Sequence, residues 1–264
     1  MNVIVCLKEV PDMEAHFKIN SDQTAIETEN LIFKMNPFDE CAVEEALKLK
    51  EKNSGDVTLL TLGPETAKQT IRKGLAMGAD RAIHINDPAF SNSDAWVTAN
   101  ALAKAIEKTP YDLILTGVQS EDNMNMQTGI MMAEILGLPH ASILTHFEVL
   151  EDHKKARASR ELEGGVLEEV EFDLPAVVTI QTGMNIPRYP TLPGIMKARA
   201  KEIKNLGCEE LGMNPNQVGQ KGSHAKIIKL YMPETGEGAE IIPGDEVQAA
   251  KTLVKKLKEE AKII

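Results

Sequence analysis

The segment Gly117-Val118-Gln119-Ser120-Glu121-Asp122-Asn123-Met124-Asn125-Met126-Gln127-Thr128-Gly129 concentrates the groups best suited to holding a small polar ligand. It leaves an apolar run, Asp112–Thr116, that reads as a strand, and it opens a helical pattern that Gly137 stops. The first N–H groups of such a helix, near Asn125–Thr128, have no partner inside the helix and can hold an anion such as a phosphate. Thr128 adds a hydroxyl donor, and Gly117 allows close approach of main chain to ligand. The side-chain amides of Gln119, Asn123, Asn125 and Gln127 can read ribose or base edges. Neither a Walker-A segment nor G-x-G-x-x-G is present, which argues against a triphosphate-hydrolysing loop. The competing reading is a long capped loop with ordinary Asx turns, and the residues alone leave both open.

Other candidates carry less chemistry. Asn36-Pro37-Phe38-Asp39 is a helix start: Asn36 can cap, Pro37 suits the first position, and the acids favour the positive dipole end. It gains a ligand role only if the fold brings it beside the loop at 117. Cys6 reads as a core residue or as the floor of a pocket, and the sequence offers it no activating base beyond Lys8. His16, His84, His140, His146, His153 and His224 are scattered, and acid pairs such as Glu44/Glu45 and Glu168/Glu169 read as solvated faces. No triad or paired-carboxylate constellation emerges. A nucleotide pocket without a catalytic set points to a binding or carrier subunit.

The second unusual segment is Pro187-Arg188-Tyr189-Pro190-Thr191-Leu192-Pro193-Gly194-Ile195-Met196. Its prolines lower the entropy lost on docking. Leu192 reads either as an exposed anchor or as a residue folded back into the core.

These residues need a frame. Asn2–Leu7, Asp56–Leu62, Arg81–Ile85 and Asp112–Thr116 read as buried strands, with a fifth near Ala141–Leu144. Helical patterns start at Pro37, span Glu65–Met77 and Ser93–Lys108, and follow Asn125. The alternation predicts an α/β fold, a doubly wound, mostly parallel, Rossmann-like sheet; the resemblance given below implies its adenine-nucleotide hydrolase-like form. Ligands then bind beyond the strand C-termini, which singles out the loops after Leu7, Leu62 and Thr116. Residues 11–33 read as a loop with a short hairpin. Phe147–Leu150, Ala156–Ser159 and Leu167–Phe172 predict an antiparallel extension turning at Gly164-Gly165, and Ala176–Ile180 one more buried strand. A basic helix is expected over Ile195–Lys204, loose chain over 205–225, an exposed strand over Ala225–Tyr231, a linker over Pro233–Gly244 and an amphipathic helix over Glu246–Ile264. The expected divisions are an α/β domain with its antiparallel extension over 1–182, a loop and helix over 183–204, and a C-terminal arm over 205–264; the resemblance given below makes the first a nucleotide-binding domain and the second a partner-recognition segment.

Composition limits the function classes. The chain has 264 residues and a formal net charge of −11, with 42% hydrophobic residues. An acidic balance and only 4% aromatic residues argue against nucleic-acid binding. No apolar run reaches the roughly 18 residues a bilayer span needs. The opening residues lack signal-peptide features, and Cys6, Cys41 and Cys208 suggest neither disulfides nor a metal cluster, so a reducing cytoplasm is expected.

Taken in order, VIVCLKEV, MNPFDECAVEEALKLKE, LGPETAKQTIRKGLAMGADRAIHI, DLILTGVQSEDNMNMQTG, RELEGG, LPAVVTI and PRYPTLPGIMKA resemble the β subunit of electron transfer flavoproteins, from residue 2 onward. The resemblance implies an electron carrier, not an enzyme, and a heterodimer with an α subunit that holds most of an FAD. It further implies flavoprotein dehydrogenases, such as acyl-CoA dehydrogenases, as donors and a membrane quinone oxidoreductase as an acceptor. Segment by segment, it implies an AMP site at Cys6, Asn36, Pro37, Phe38, Asp39, Leu62, and Gly117 through Thr128, that is Val118, Gln119, Ser120, Glu121, Asp122, Asn123, Met124, Asn125, Met126 and Gln127 between them. It implies a docking loop at Arg188, Tyr189, Thr191, Leu192, Pro193, Ile195 and Met196, and an α-subunit contact at Glu161. It implies that the 205–264 arm packs on the α subunit. The chain departs from the family at Asp122-Asn123-Met124, where an acidic run is usual, and at Met13, where some members carry a Tyr near the flavin. A bifurcating branch of the family holds a second FAD in place of AMP and oxidises NADH; Met124–Gly129 is closer to the AMP branch.

Overall fold

In the computed structural model the short apolar runs of the first half line up side by side, and their alternating residues face two separate cores. The structure describes residues 1–150, 153–234 and 238–264. The strands are β1 (Val3–Cys6), β2 (Glu9–Pro11), β3 (Phe33–Met35), β4 (Val57–Leu62), β5 (Arg81–Ile85), β6 (Leu113–Gly117), β7 (His140–Val149), β8 (Lys155–Glu161), β9 (Leu167–Asp173), β10 (Val177–Ile180) and β11 (Ile203–Leu206). The helices are α1 (Pro37–Asn53), α2 (Lys68–Met77), α3 (Ala95–Ile106), α4 (Thr128–Leu136), α5 (Leu192–Ala198), α6 (Cys208–Leu211), α7 (Gly219–Gly222) and α8 (Glu246–Glu259).

Among the described residues, nine strands form one sheet in the order β11-β5-β4-β1-β6-β10-β7-β8-β9, and β2 and β3 form a separate antiparallel pair. All pairs from β11 to β7 are parallel; β8 and β9 add an antiparallel edge. Strand order reverses between β1 and β6, where the rule for open α/β sheets locates ligands. Val3, Val5 and Leu7 join a core with α1 and α2, whereas Ile4 and Cys6 join the opposite core with α3 and α4. Burial on both faces explains why β1, β4 and β6 are apolar at successive positions and not only at alternate ones, with Thr58, Thr61 and Thr116 the buried polar exceptions. The doubly wound α/β architecture inferred from the alternation is thus the observed one.

Several elements differ from expectation. The strand near Ala141–Leu144 and the apolar run Phe147–Leu150 are one element, β7, carried through an irregularity between Leu144 and His146. The helix expected over Ile195–Lys204 begins earlier and stops at Ala198, because Ile203–Leu206 is drawn onto the free edge of β5 as β11. That edge lies far along the chain, so local pattern does not report it. Residues 205–225 hold α6 and α7 rather than loose chain. Ala225–Tyr231 forms no strand; its main chain is tied to the body through Leu230 N–H donating to the Gln23 carbonyl at 2.7 Å. Within the expected linker Pro233–Gly244, residues 235–237 lie outside the described residues. Helix α8 is capped by Asp245 but buries none of its side chains. Among the described residues, no helix is long and apolar enough to cross a membrane.

Candidate nucleotide cleft and docking segment

The cleft is built from the loops at the C-terminal ends of β1, β4, β5 and β6. It encloses about 670 Å³, within the usual range for small-ligand sites. One wall is the start of α1. Asn36 precedes the helix, but its side chain does not cap it. Instead its Nδ2 donates to the Gln119 carbonyl at 2.8 Å, and its Oδ1 accepts the Glu121 N–H at 3.2 Å. Asp39 Oδ1 accepts the Gly117 N–H at 2.9 Å, and its Oδ2 accepts the Lys8 N–H at 2.8 Å. Two residues of one helix start therefore hold the C-terminal ends of β1 and β6 together at the reversal point. The capping role expected of Asn36 gives way because the facing loop offers it a donor and an acceptor across the cleft.

Gly117 is fixed by this contact: a Cβ there would lie 2.4 Å from Asp39 Oδ1 and 2.6 Å from Phe38 Cβ. The loop beyond it is fastened at its rim. Lys8 Nζ bonds both Asp122 oxygens at 2.6–2.7 Å, and Lys34 pairs with Glu121 at 3.4 Å. Met124 and Met126 adopt left-handed φ values of 51° and 55°, which turn the chain into α4. Gly129 lets α4 press on the strand ends, since a Cβ would lie 2.8 Å from both Thr116 Oγ1 and Thr179 Cγ2. The first-turn N–H groups of α4 thus open at the cleft, where Thr128 is a lining residue.

Of the residues singled out from the sequence, the cleft gathers Cys6, Asn36, Asp39, Leu62, Gly117, Val118, Gln119, Ser120, Asn123, Asn125, Met126, Gln127 and Thr128. Pro37, Phe38, Glu121, Asp122 and Met124 do not line it. Sequence reasoning missed the β5 side, where Asn86, Asp87, Phe90 and Ser91–Asp94 form a further wall. The strand-end rule applied to Ile85 finds that wall, since β5 points the same way as β1, β4 and β6.

The acids on this side are held by main chain. Asp87 accepts the N–H groups of Ala89 and Cys208, and the Cys208 bond, then the Ala89 bond, lowers its carboxyl below the usual range. Asp94 caps α3 through Val97 and also accepts the His224 and Ala225 N–H groups at 2.7 and 2.9 Å. Burial pushes its carboxyl up, but those bonds outweigh burial and hold it low. Asp39 behaves oppositely: burial pushes its carboxyl up to about 7 despite the bonds from Asn36, Lys8 and Gly117. Burial, then the nearby Asp39, raises the Cys6 thiol, whose Sγ contacts Met132 Sδ at 3.9 Å. Such a thiol is an inert wall, not a nucleophile. His84 is fully buried, with Nε2 3.0 Å from the Gly63 carbonyl, and it does not line the cleft. All three cysteines are free, and no metal-holding group of His, Cys, Asp or Glu occurs among the described residues.

The 187–198 segment lies over α2 on the α1/α2 face. Thr191 caps α5 by accepting the Gly194 N–H at 3.1 Å, and Gly194 sits so close to α2 that a Cβ would lie 2.4 Å from the Ala76 carbonyl. Leu192 is 79% exposed and Tyr189 92%, so the buried alternative for Leu192 is not the one adopted. Pro193, Ile195 and Met196 are also exposed. Arg188 is not available in this way: its guanidinium bonds Glu44 and Glu51 on α1. Glu161 is exposed at the end of β8, beside the Gly164-Gly165 turn, which has left-handed φ at both glycines.

Comparison with known proteins bears on these features. The electron transfer flavoprotein domain family matches residues 24–210. The chain is 37% identical over 255 residues to the electron transfer flavoprotein subunit beta of Methylophilus methylotrophus, covering 96% of this chain and 97% of that one. It is 35% identical to the protein of that name from Bacillus subtilis (strain 168), over the full length of both. It is also 36% identical to the caffeyl-CoA reductase-Etf complex subunit CarD of Acetobacterium woodii, over 98% of each chain.

Proposed function

The chain belongs to the electron transfer flavoprotein family, with β subunits as its relatives, and from that premise we propose that it is the β subunit of a cytoplasmic heterodimer that keeps AMP in its cleft. Its partner is an α subunit that holds most of one FAD. Donors are flavoprotein dehydrogenases such as acyl-CoA dehydrogenases, and a membrane quinone oxidoreductase is the acceptor.

The observation that carries the nucleotide assignment is the latch at the reversal point. Asn36 and Asp39 tie the 117–121 backbone to α1, and the loop so held delivers the start of α4 to the cleft. A mononucleotide suits the residues present. Its phosphate would take the first N–H groups of α4 and the Thr128 hydroxyl, as anions do at helix starts. Its ribose and base would take the amides of Asn123, Asn125 and Gln127 above the apolar floor of Cys6, Leu62, Ile85 and Phe90. Lys8 is paired with Asp122, which leaves the phosphate to main-chain donors. This chain's role toward the flavin is structural: FAD supplies the redox chemistry when bound, and the β subunit supplies rigid support and a docking segment. The exposed Leu192 supports the docking role, and the unburied face of α8 supports packing on an α subunit.

The likeness to a subunit of a caffeyl-CoA reductase-Etf complex makes the bifurcating arrangement the other outcome to test. Co-expression with the α subunit, denaturation and mass spectrometry of the released small molecules separates them. One AMP and one FAD per heterodimer is the expected result. Two FADs with no AMP would replace the AMP reading by the bifurcating one, and no adenylate at all would remove the cleft assignment.

A further inference from the structure

The docking segment carries one cation that does not face outward. Arg188 places its main-chain N–H, Nε and Nη2 on the two Glu44 oxygens at 2.9–3.0 Å, and both terminal nitrogens on Glu51. Glu44 is buried, with its side chain 5% exposed. Three residues earlier, Asn185 is also buried, and its Nδ2 donates to the Cys41 carbonyl at 3.0 Å and to Glu45 at 3.1 Å. Two polar anchors thus bind residues 185–188 to the outer face of α1. Between and after them the apolar side chains point away: Ile186 is 91% exposed and Tyr189 92%. A bidentate arginine on a buried carboxylate fixes orientation as well as distance. A lysine there would keep the charge but lose the fork.

We propose that Arg188 is a positioning residue, set by Glu44, that preorganises an apolar docking ridge of Ile186, Tyr189 and Leu192 for an apolar socket on a dehydrogenase. The inference rests on the docking role given to Leu192 above. Arg188 itself does not reach the partner, because doing so would strip a buried carboxylate of its only cation in the described structure. Ordering the segment in advance spares the complex the entropy of fixing it on contact. The same helix holds the cleft latch at its first turn, so ridge and cleft share one rigid spine.

The test uses the reconstituted heterodimer with an acyl-CoA dehydrogenase and its acyl-CoA as probe donor. Variants are Arg188→Gln, Arg188→Lys, Leu192→Ala and the Arg188→Gln/Leu192→Ala pair, with hydrogen exchange of residues 186–198 measured alongside. The expected result for Arg188→Gln is a KM for the heterodimer about five- to tenfold higher, near-unchanged kcat, and faster exchange over 186–198. Arg188→Lys should recover only part of this. The double variant should be little worse than Leu192→Ala alone, because both changes act through one anchor. Multiplicative KM effects in the pair, or faster exchange without a KM change, would overturn the positioning role. If Leu192→Ala alone leaves KM unchanged, the docking reading itself fails, a result distinct from the former.

Discussion

Asp39 and Gly117 are 78 residues apart in sequence, yet the Gly117 N–H lies 2.9 Å from Asp39 Oδ1. The other oxygen of that carboxylate takes the Lys8 N–H at 2.8 Å. One side chain on α1 therefore joins the ends of the two central strands, β1 and β6, where the sheet reverses order. The mouth of the cleft is set by this contact, and several consequences can be measured.

The first concerns Asp39 itself. Burial raises its carboxyl from the ordinary 3.8 to about 7. Between roughly pH 4 and 7 the folded chain then binds more protons than the unfolded one, so its contribution to stability falls as pH rises through that window. Asp39→Asn lacks this slope. It also puts an amide nitrogen against one of two N–H donors, costing about 1–3 kcal/mol. Denaturant unfolding of both proteins should show the gap between them narrowing from pH 4 to pH 7. A gap that widens would show that the ionised carboxylate is the favoured folded form.

Gly117→Ala tests the closeness of the same contact. An added methyl would meet Asp39 Oδ1 at 2.4 Å and Phe38 Cβ at 2.6 Å. Phe38 Cβ and the Asp39 main-chain N, 2.9 Å away, cannot retreat without moving the start of α1, and Asp39 Oδ1 retreats only by giving up its bond from the Gly117 N–H. The expected cost is about 1–3 kcal/mol, as for overpacking elsewhere. Purified heterodimer should also retain less of the adenylate proposed for the cleft, read by mass spectrometry. Full adenylate content at wild-type stability would disconnect the latch from the ligand.

His84 has the opposite pH signature. Burial lowers its imidazole below the ordinary 6.5, with the Gly63 carbonyl opposing only in part. Its Nδ1 is buried and unpartnered, so protonation would bury a donor with no acceptor. The folded chain then binds fewer protons than the unfolded one just below pH 6.5, and stability falls as pH drops through that region. His84→Gln should remove this acid-side loss while leaving the Asp39 slope in place. An unchanged pH profile in that variant would assign the acid loss to other groups.

Helix α8 makes a separate prediction. None of its side chains is buried, although Val247, Leu253 and Val254 are large and apolar. Ending the chain after Gly244 should change the stability of the isolated subunit by no more than about 0.5 kcal/mol. It should sharply weaken recovery of the heterodimer by size exclusion with the α subunit. Loss of stability in the isolated subunit would instead mean that α8 packs on its own domain.

What the residues determined by themselves was local and periodic. The largely apolar runs at 3–6, 57–62, 81–85 and 113–117 became strands because burial on both faces favours hydrophobic side chains at successive positions, with Thr58, Thr61, His84 and Thr116 as the polar exceptions inside. Helix starts at Pro37 and near Thr128 followed from chain punctuation, and the strand-end rule selected three of the four loops that form the cleft. Tertiary structure alone decided the pairings between distant segments. It inserted β10 between β6 and β7, pulled Ile203–Leu206 onto the edge of β5, and turned Asn36 from a cap into a cross-cleft latch. It also turned Arg188 inward onto Glu44 while leaving Leu192 outside. The reason is physical: hydrophobic period is set by neighbours two to four residues away, whereas hydrogen-bond partners are chosen by whatever backbone or carboxylate the completed sheet brings near.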